Sequence, residues 1–261
     1  MKGFKAFGKG MICRGKQYKE NTVFEEQEAV ICQSGMHFCE NPLDVLDYYP
    51  LVDENGDIVE VAEVEALYEC QTDDNKKYCT KKLKIGVKLL LKDFVKAAID
   101  FVFEKSDGKV STGDNAKLAS SGDYAQLASS GNYAKLASSG YDAQLASSGD
   151  HAQLASSGDN AKLASSGDYA QLASSGYDAK LASSGDYAQL ASSGYGAVIA
   201  GIGICNTAKG KKGSWLVLAE WGYNDIERKF IPICVKTAQI DGVVIKEDTF
   251  YKLKNGEFKE A

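Results

Sequence analysis

Glycine recurs at 113, 122, 131, 140, 149, 158, 167, 176, 185 and 194, always nine residues apart. No other feature constrains the fold as strongly. Each unit reads Gly, two residues drawn mostly from Asp, Asn, Tyr and His, then Ala, Lys or Gln, Leu, Ala, Ser, Ser. A helix cannot carry this pattern. Gly with two Ser in every unit penalises it, and a nine-residue step turns successive Leu ~180° apart at ~100° per residue. A solvated linker has no need of a Leu flanked by Ala in every unit. What remains is a solenoid, whose units stack on their neighbours because none can bury its own face.

Within a unit, Ala-Lys/Gln-Leu-Ala reads as a short strand with Leu inward and Lys or Gln outward, since side chains alternate across a strand. Ser-Ser-Gly-Asp-Tyr supplies the corner, where Gly is expected to take a positive φ and Asp or Asn to hydrogen-bond its own backbone. One nonapeptide makes too tight a loop to enclose a Leu. Two per coil, about 18 residues, set Leu from opposite sides against each other, and the five or so coils rise ~4.8 Å each into a rod ~24 Å long. A three-sided coil of ~27 residues is the less natural alternative. The core is lean, so backbone ladders carry much of the stability. Exposed sheet edges at both ends invite polymerisation, which predicts capping segments. The expected fold is mainly β: a nonapeptide-repeat β-solenoid over 111–205, an α/β N-terminal cap at 1–110 and a β-rich C-terminal cap at 206–261.

In the first flank, NPLDVLDYYP has helix punctuation, with Asn41 as N-cap, Pro42 at the first helical position and Pro50 as the stop. VDENGDIVEVAEVEAL reads as a hairpin around Asn55-Gly56 leading into a long strand. LLLKDFVKAAIDFVFEK places Leu91, Phe94 or Val95, Ala98 and Phe101 or Val102 on one helix face, and this helix is expected over the open edge of the first coil. In the second flank SWLVLAEW, FIPICVKTAQI, VVIKEDTFYKL and a last GEF read as strands, with turns at Gly242 and Asn255-Gly256. The repeat decays into YGAVIAGIGIC at 195–205, where larger apolar residues replace Leu and the last coil closes against its cap.

Composition limits the function. The formal charge of −6 argues against nucleic acid as a direct partner, which needs a basic face. No apolar stretch of signal-peptide length follows the first Lys residues, and the longest apolar run, AVIAGIGIC at 197–205, is far too short for a bilayer. The expectation is a cytoplasmic protein without a membrane partner. The seven Cys (13, 32, 39, 70, 79, 205 and 234) are odd in number and lack a CxxC pair. Most sit beside apolar neighbours and read as reduced, buried thiols. A zinc site on Cys32, His37 and Cys39 is the sharper reading, but its spacing fits no standard ligand pattern. His37 reads as a structural histidine and His151 as a surface variant of a repeated position. Phosphate-cradling loops, a serine elbow and zinc-hydrolase motifs are missing, so no cofactor, metal or catalytic residue is expected. Calcium would need a Gly-Gly-x-Gly-x-Asp run, and these units have one Gly and at most one Asp. Ice binding would favour ranks of Thr, and only Thr112 lies near the array.

CRGKQY, GMHFCENPLDVLDYY, GSWLVLAE and DGVVIKEDTFYKLKNGEF resemble the flanks of a family of phage and prophage proteins of unknown function, which carry a variable number of short Gly-Asp-type repeats between two conserved ends. The resemblance covers essentially the whole chain. It implies a viral origin and the cytoplasm of an infected bacterial host, and it brings no catalytic residues. The repeats are also similar in composition to the head repeats of trimeric bacterial adhesins. CRGKQY, GMHFCENPLDVLDYY and DIVEVAEVEAL together are similar to the order of elements in ADP-ribosyltransferases. That similarity implies Arg14, Tyr18 and one of Glu60, Glu63 or Glu65 as catalytic candidates, although the family's Ser-Thr-Ser-type strand is not recognisable.

The expected function is non-enzymatic and lies on the repeat surface. An 18-residue coil sets near-identical side chains ~4.8 Å apart, and corner Tyr residues supply the amphipathic anchors favoured in interfaces. The candidate binding residues are Asp114, Asp123, Tyr124, Tyr133, Asp142, Asp150, Asp159, Asp168, Tyr169, Asp178, Asp186 and Tyr187. Between 113 and 196 there are eight Asp and four Lys, a net of −4. Duplex DNA carries ~14 charges over ~24 Å, so shape and Tyr define this surface better than DNA mimicry does. The leading expectation is a phage protein that binds and inhibits or sequesters a host protein, such as a defence factor, with self-association left open. A structural or adhesive virion module, an ADP-ribosyltransferase-like N-terminal domain and a small-molecule sponge are the alternatives.

Overall fold

The computed structural model describes the backbone of residues 1–52, 58–105 and 110–261, with the side chains of all of these but 103–105. The chain divides into two units, Met1–Ala98 and Ile99–Ala261.

In the first unit seven strands form one sheet in the spatial order Thr22–Glu25, Lys82–Leu89, Glu60–Ala66, Lys2–Phe7, Met36–Cys39, Lys77–Thr80 and Gln71–Thr72. Every pairing is antiparallel. Residues two apart share a face, so Met36 with Phe38, and Leu83 with Ile85, enter one core together with Phe7, Tyr18 and Val64. Asn41 does cap a helix: its side chain accepts the N–H of Leu43 at 3.1 Å and its amide donates to Asp44. The element is a short 3-10 helix, Pro42–Asp47. The strand expected from DIVEVAEVEAL is Glu60–Ala66; the turn expected at Asn55-Gly56 lies outside the described residues. The helix Leu91–Lys105 buries Phe94, Val95, Ala98, Ile99 and Val102, an apolar stripe of 3.6-residue period.

The second unit is a two-sided parallel β-solenoid. One sheet runs through Val110–Ser111, Gln126–Ser129, Gln144–Ser147, Lys162–Ser165, Lys180–Ser183, Val198–Gly201 and Trp215–Asn224. The other runs through Lys117–Ser120, Lys135–Ser138, Gln153–Ser156, Gln171–Ser174, Gln189–Ser192 and Thr207–Lys209. Leu118 pairs with Leu136 and Leu127 with Leu145, so one coil is 18 residues. The inward positions are the Ala before each strand, the Leu and the first Ser; Leu127 through Leu190 are at most 1% exposed. At ~25 cal/mol per Å² of buried apolar surface, each Leu stabilises the coil by about 1.5–3 kcal/mol.

The repeat glycines do not supply the positive φ that the sequence suggested. That conformation falls two residues later, at Asn115, Tyr124, Tyr133, Asp142, His151, Asn160, Tyr169, Asp178 and Tyr187, with φ between 54° and 59°. Glycine is needed for another reason. From Gly131 to Gly203, a Cβ would run into the carbonyl of the residue 18 positions earlier, because the stacked corners approach too closely for any side chain.

The coiling continues beyond the recognisable repeat. Ile199 takes the place of Leu and is fully buried, and Ala208 fills the same inward position half a coil later. Asn206 stands where the repeat has Ala, and its Oδ1 accepts the N–H of Ala188 at 2.7 Å. Each sheet then ends in an antiparallel strand pair. Trp215–Asn224 joins Lys229–Gln239, with a bulge between Glu220 and Trp221, and Thr207–Lys209 joins Tyr251–Lys254 and then Glu257–Glu260. Pro232 in one outer strand and Glu257, Lys259 and Glu260 in the other blunt these edges against further pairing. The strand expected over VVIKEDTFYKL starts only at Tyr251. Asp241 Oδ1 accepts the N–H groups of Val243, Val244 and Ile245 at 2.8–3.0 Å and holds that stretch in a turn. Asn255 and Gly256 form the expected hairpin turn, both with positive φ.

Candidate functional site

The two residues after each repeat glycine make the corner of the coil. Along one edge of the rod the first of them is Asp114, Asn132, Asp150, Asp168 and Asp186. The Oδ1 of each accepts the backbone N–H of its counterpart one coil later, in Asn132, Asp150, Asp168, Asp186 and Ile204, at 2.7–2.9 Å. On the other edge Asp123 and Asp159 bond Tyr141 and Tyr177 in the same way at 2.8–2.9 Å. The expectation of Asp bonding within its own turn is thus replaced by a bond between coils. A parallel stack sets an identical corner ~4.8 Å away, and its N–H needs a partner.

The second corner residue is left-handed and donates its N–H to a carbonyl of the next coil, as Tyr133 does to Asp150 and Tyr169 to Asp186. On the first edge the ring-bearing ones are Tyr133, His151, Tyr169 and Tyr187, between Asn115 and Cys205. Their rings stack at centroid distances of 4.7, 4.9 and 5.0 Å, with interplanar angles of 2°, 8° and 7°. Ring spacing matches the coil rise, so stacking needs no distortion of the backbone. Each of the three Tyr is about half exposed. The other edge has no such column, because only Tyr124 takes the second corner position there, while Tyr141, Tyr177 and Tyr195 take the first. Tyr177 and Tyr195 stack at 6.0 Å, whereas Tyr124 meets Tyr141 edge-on at 6.0 Å.

The expected surface residues therefore separate by role. Asp114, Asp123, Asp150, Asp159, Asp168 and Asp186 tie coils together, with their carboxylates exposed or half-exposed. Tyr124, Tyr133, Tyr169 and Tyr187 stand outward, as does Asp178. Asp142 does not belong with them: it is 4% exposed and pairs at 3.3 Å with Lys162, itself fully buried. His151, read from sequence as a surface variant, is an integral member of the ring column. Aligning units two apart rather than one apart places it between Tyr133 and Tyr169.

All seven Cys are free thiols. Only Cys39 and Cys79 are buried, and Cys32 and Cys205 are exposed, contrary to the reading of these Cys as buried hydrophobes; each occupies a left-handed turn position. Burial pushes the Cys79 thiol up to about 11. His37 Nε2 accepts the backbone N–H of Cys32 at 3.0 Å, which engages the lone pair a metal would need, and burial holds its pKa below the usual histidine value. Among the described residues no three His, Cys, Asp or Glu side chains are placed to hold a metal ion. No helix among them is long and apolar enough to cross a membrane.

The first unit contains a cavity of about 700 Å³, and Arg14 and Tyr18 both line it. Glu60, Glu63 and Glu65 do not. Glu60 instead accepts the N–H of Met11 at 2.6 Å and pairs with Lys88 at 3.1 Å. Of the residues that the transferase similarity implies, the cavity thus brings together Arg14 and Tyr18.

Residues 1–97 match the family model described as "Domain of unknown function (DUF7666)", which covers almost the whole of the first unit. No curated protein and no solved structure matches the chain.

Proposed function

We propose that this is a non-enzymatic interaction protein, phage-encoded, that binds and sequesters a host protein through the solenoid corner carrying Tyr133, His151, Tyr169 and Tyr187. The observation that carries the reading is the ordering of this column before any partner arrives. Left-handed backbone, Asp clamps between coils and ring stacking hold the aromatic side chains, so little side-chain freedom is left to lose on binding. Aromatic residues with one apolar body and one polar tip are the anchors that interfaces favour. The Asp and Asn beside them add an acidic flank for a partner with Lys or Arg opposite.

The test is capture from lysate of the bacterial host on the immobilised intact protein, against a variant with Tyr133, His151, Tyr169 and Tyr187 all changed to Asn. Asn115 and Asn160 already hold the same left-handed conformation, so the substitution spares the fold, whereas removing the Asp clamps would not. A stoichiometric partner retained by the intact form and lost by the variant is the expected result. Equal capture by both forms would overturn the assignment to this corner.

A further inference from the structure

The cavity of the first unit has a chemistry that the repeat-surface reading does not use. Its volume of about 700 Å³ lies within the range of small-molecule sites. Strand alternation sends Lys5 to the same side as Phe7, and its side chain is buried. Lys5 Nζ donates to the His37 carbonyl at 3.0 Å, lies 3.5 Å from Cys13 Sγ, and has the Phe7 and Tyr18 rings 5.4 and 5.5 Å away. Among the described residues no carboxylate pairs with it. A buried ammonium without a counter-ion is costly, and burial accordingly lowers the pKa of this amine.

More cations line the same cavity. Arg14 sits at the turn between the paired strands Ile12–Cys13 and Lys16–Gln17, with φ 49°, and is exposed. Lys16 is neutralised by Glu26 at 2.7 Å, and Lys77 lies 4.3 Å from the Tyr48 ring centre. Among the described residues the lining holds four Lys and Arg residues against Glu26 and Asp47, an excess of two positive charges in a chain of net charge −6. Two uncompensated charges match a dianion better than a carboxylate. Phe38, Tyr18, Tyr48 and Tyr49 supply aromatic wall.

We propose that this cavity binds a small organic phosphate carrying an aromatic ring, with the phosphate held by Lys5 and Arg14 and the ring by the aromatic wall. The inference stands apart from the solenoid reading, since it uses no repeat residue. It also has a proton signature. A phosphate beside Lys5 favours the ammonium form, so binding takes up a proton wherever the free amine is partly neutral, and affinity falls as pH rises. The titratable groups around Lys5 are Cys13 and Arg14 on the hairpin, Tyr18 beyond it, His37 and Cys39 on one neighbouring strand, and Cys79 on the next.

The experiment is titration calorimetry on the full chain with phenyl phosphate, inorganic phosphate and phenol, each in two buffers of different ionisation heat at alkaline pH. Phenyl phosphate is expected to bind one to one with net proton uptake, and each half-ligand about tenfold or more weakly. Lys5→Met should abolish the proton uptake and weaken phenyl phosphate about tenfold or more, and Arg14→Asn should weaken it about fivefold. Arg14 is exposed and Asn suits its left-handed turn, so that variant decides the matter should Lys5→Met fail to fold. Absence of saturable phenyl phosphate binding at about 1 mM overturns the proposal. So does equal affinity for inorganic phosphate, or binding unchanged in the Arg14 variant.

Discussion

The solenoid and the first unit solve burial differently. In the solenoid one Leu per unit, with Ala and Ser, fills every layer, and each corner bonds to a copy of itself 18 residues away. In the first unit Phe7, Tyr18 and Phe24 meet at tilted angles with centroids 5.3 and 4.8 Å apart, and a lysine is buried beside them. A repeated sequence copies each side chain into a ladder and so cannot converge unlike groups on one point. A non-repeating sequence can. The solenoid is accordingly suited to an extended partner that grips several rungs, and the first unit to a small ligand with unlike ends.

Substitutions sharpen this contrast. The largest effect is expected in the cores. Phe7→Ala should cost about 3–5 kcal/mol in the first unit, and Leu163→Ala about 2–5 kcal/mol in the solenoid. Both Trp residues, 215 and 221, lie in the second unit, so urea unfolding followed by Trp fluorescence should register the second change. Gly158→Ala should come next at about 1–3 kcal/mol, because its Cβ meets the Gly140 carbonyl. Gly113→Ala, with open space around it, should cost far less; equal costs would break the close-stacking explanation.

Lys5 gives the first unit a pH dependence of its own. Its folded pKa is depressed by burial. Below that value both states hold the proton and the burial penalty is fully present. As pH rises toward the ordinary lysine value near ~10.4, the unfolded chain retains a proton that the folded chain has released, so stability rises by at most ~1.4 kcal/mol per pH unit. Lys5→Met should flatten that rise in urea midpoints taken between neutral and alkaline pH. Smaller still, Asp168→Ala should cost about 1 kcal/mol for its bond to Asp186, and Asp168→Asn close to nothing, since Asn132 makes the same bond to Asp150. Tyr169→Asn should change stability by only a few tenths of a kcal/mol while interrupting the ring column.

Much of the solenoid was legible because its rule is written ten times. The period, the inward Leu and the 18-residue coil all follow from spacing and strand alternation, whereas the coiling that runs on past the decayed repeat does not. Which residue takes the left-handed conformation was not legible, because Gly is the usual donor of positive φ and here serves close approach instead. The bonds from Asp to the next coil were equally hidden, since they depend on a neighbour that exists only once the chain has stacked. In the first unit the Asn41 cap was readable from local chemistry. The cavity was not, as it draws on residues between Phe4 and Lys77 that only the sheet order unites. One signal was available: in KGFKAF the alternation that buries Phe7 also buries Lys5.

The most direct test of the modular account is hydrogen exchange on the full chain with residues 149–166 deleted, one whole coil that joins Ser148 to Gly167 in register. Each coil contacts only its neighbours, so the corner amides of Asp186 and Ile204 and the strands of the first unit should keep their protection, with one coil's share of stability lost. Loss of protection throughout the second unit would contradict the account and show that the coils are not interchangeable.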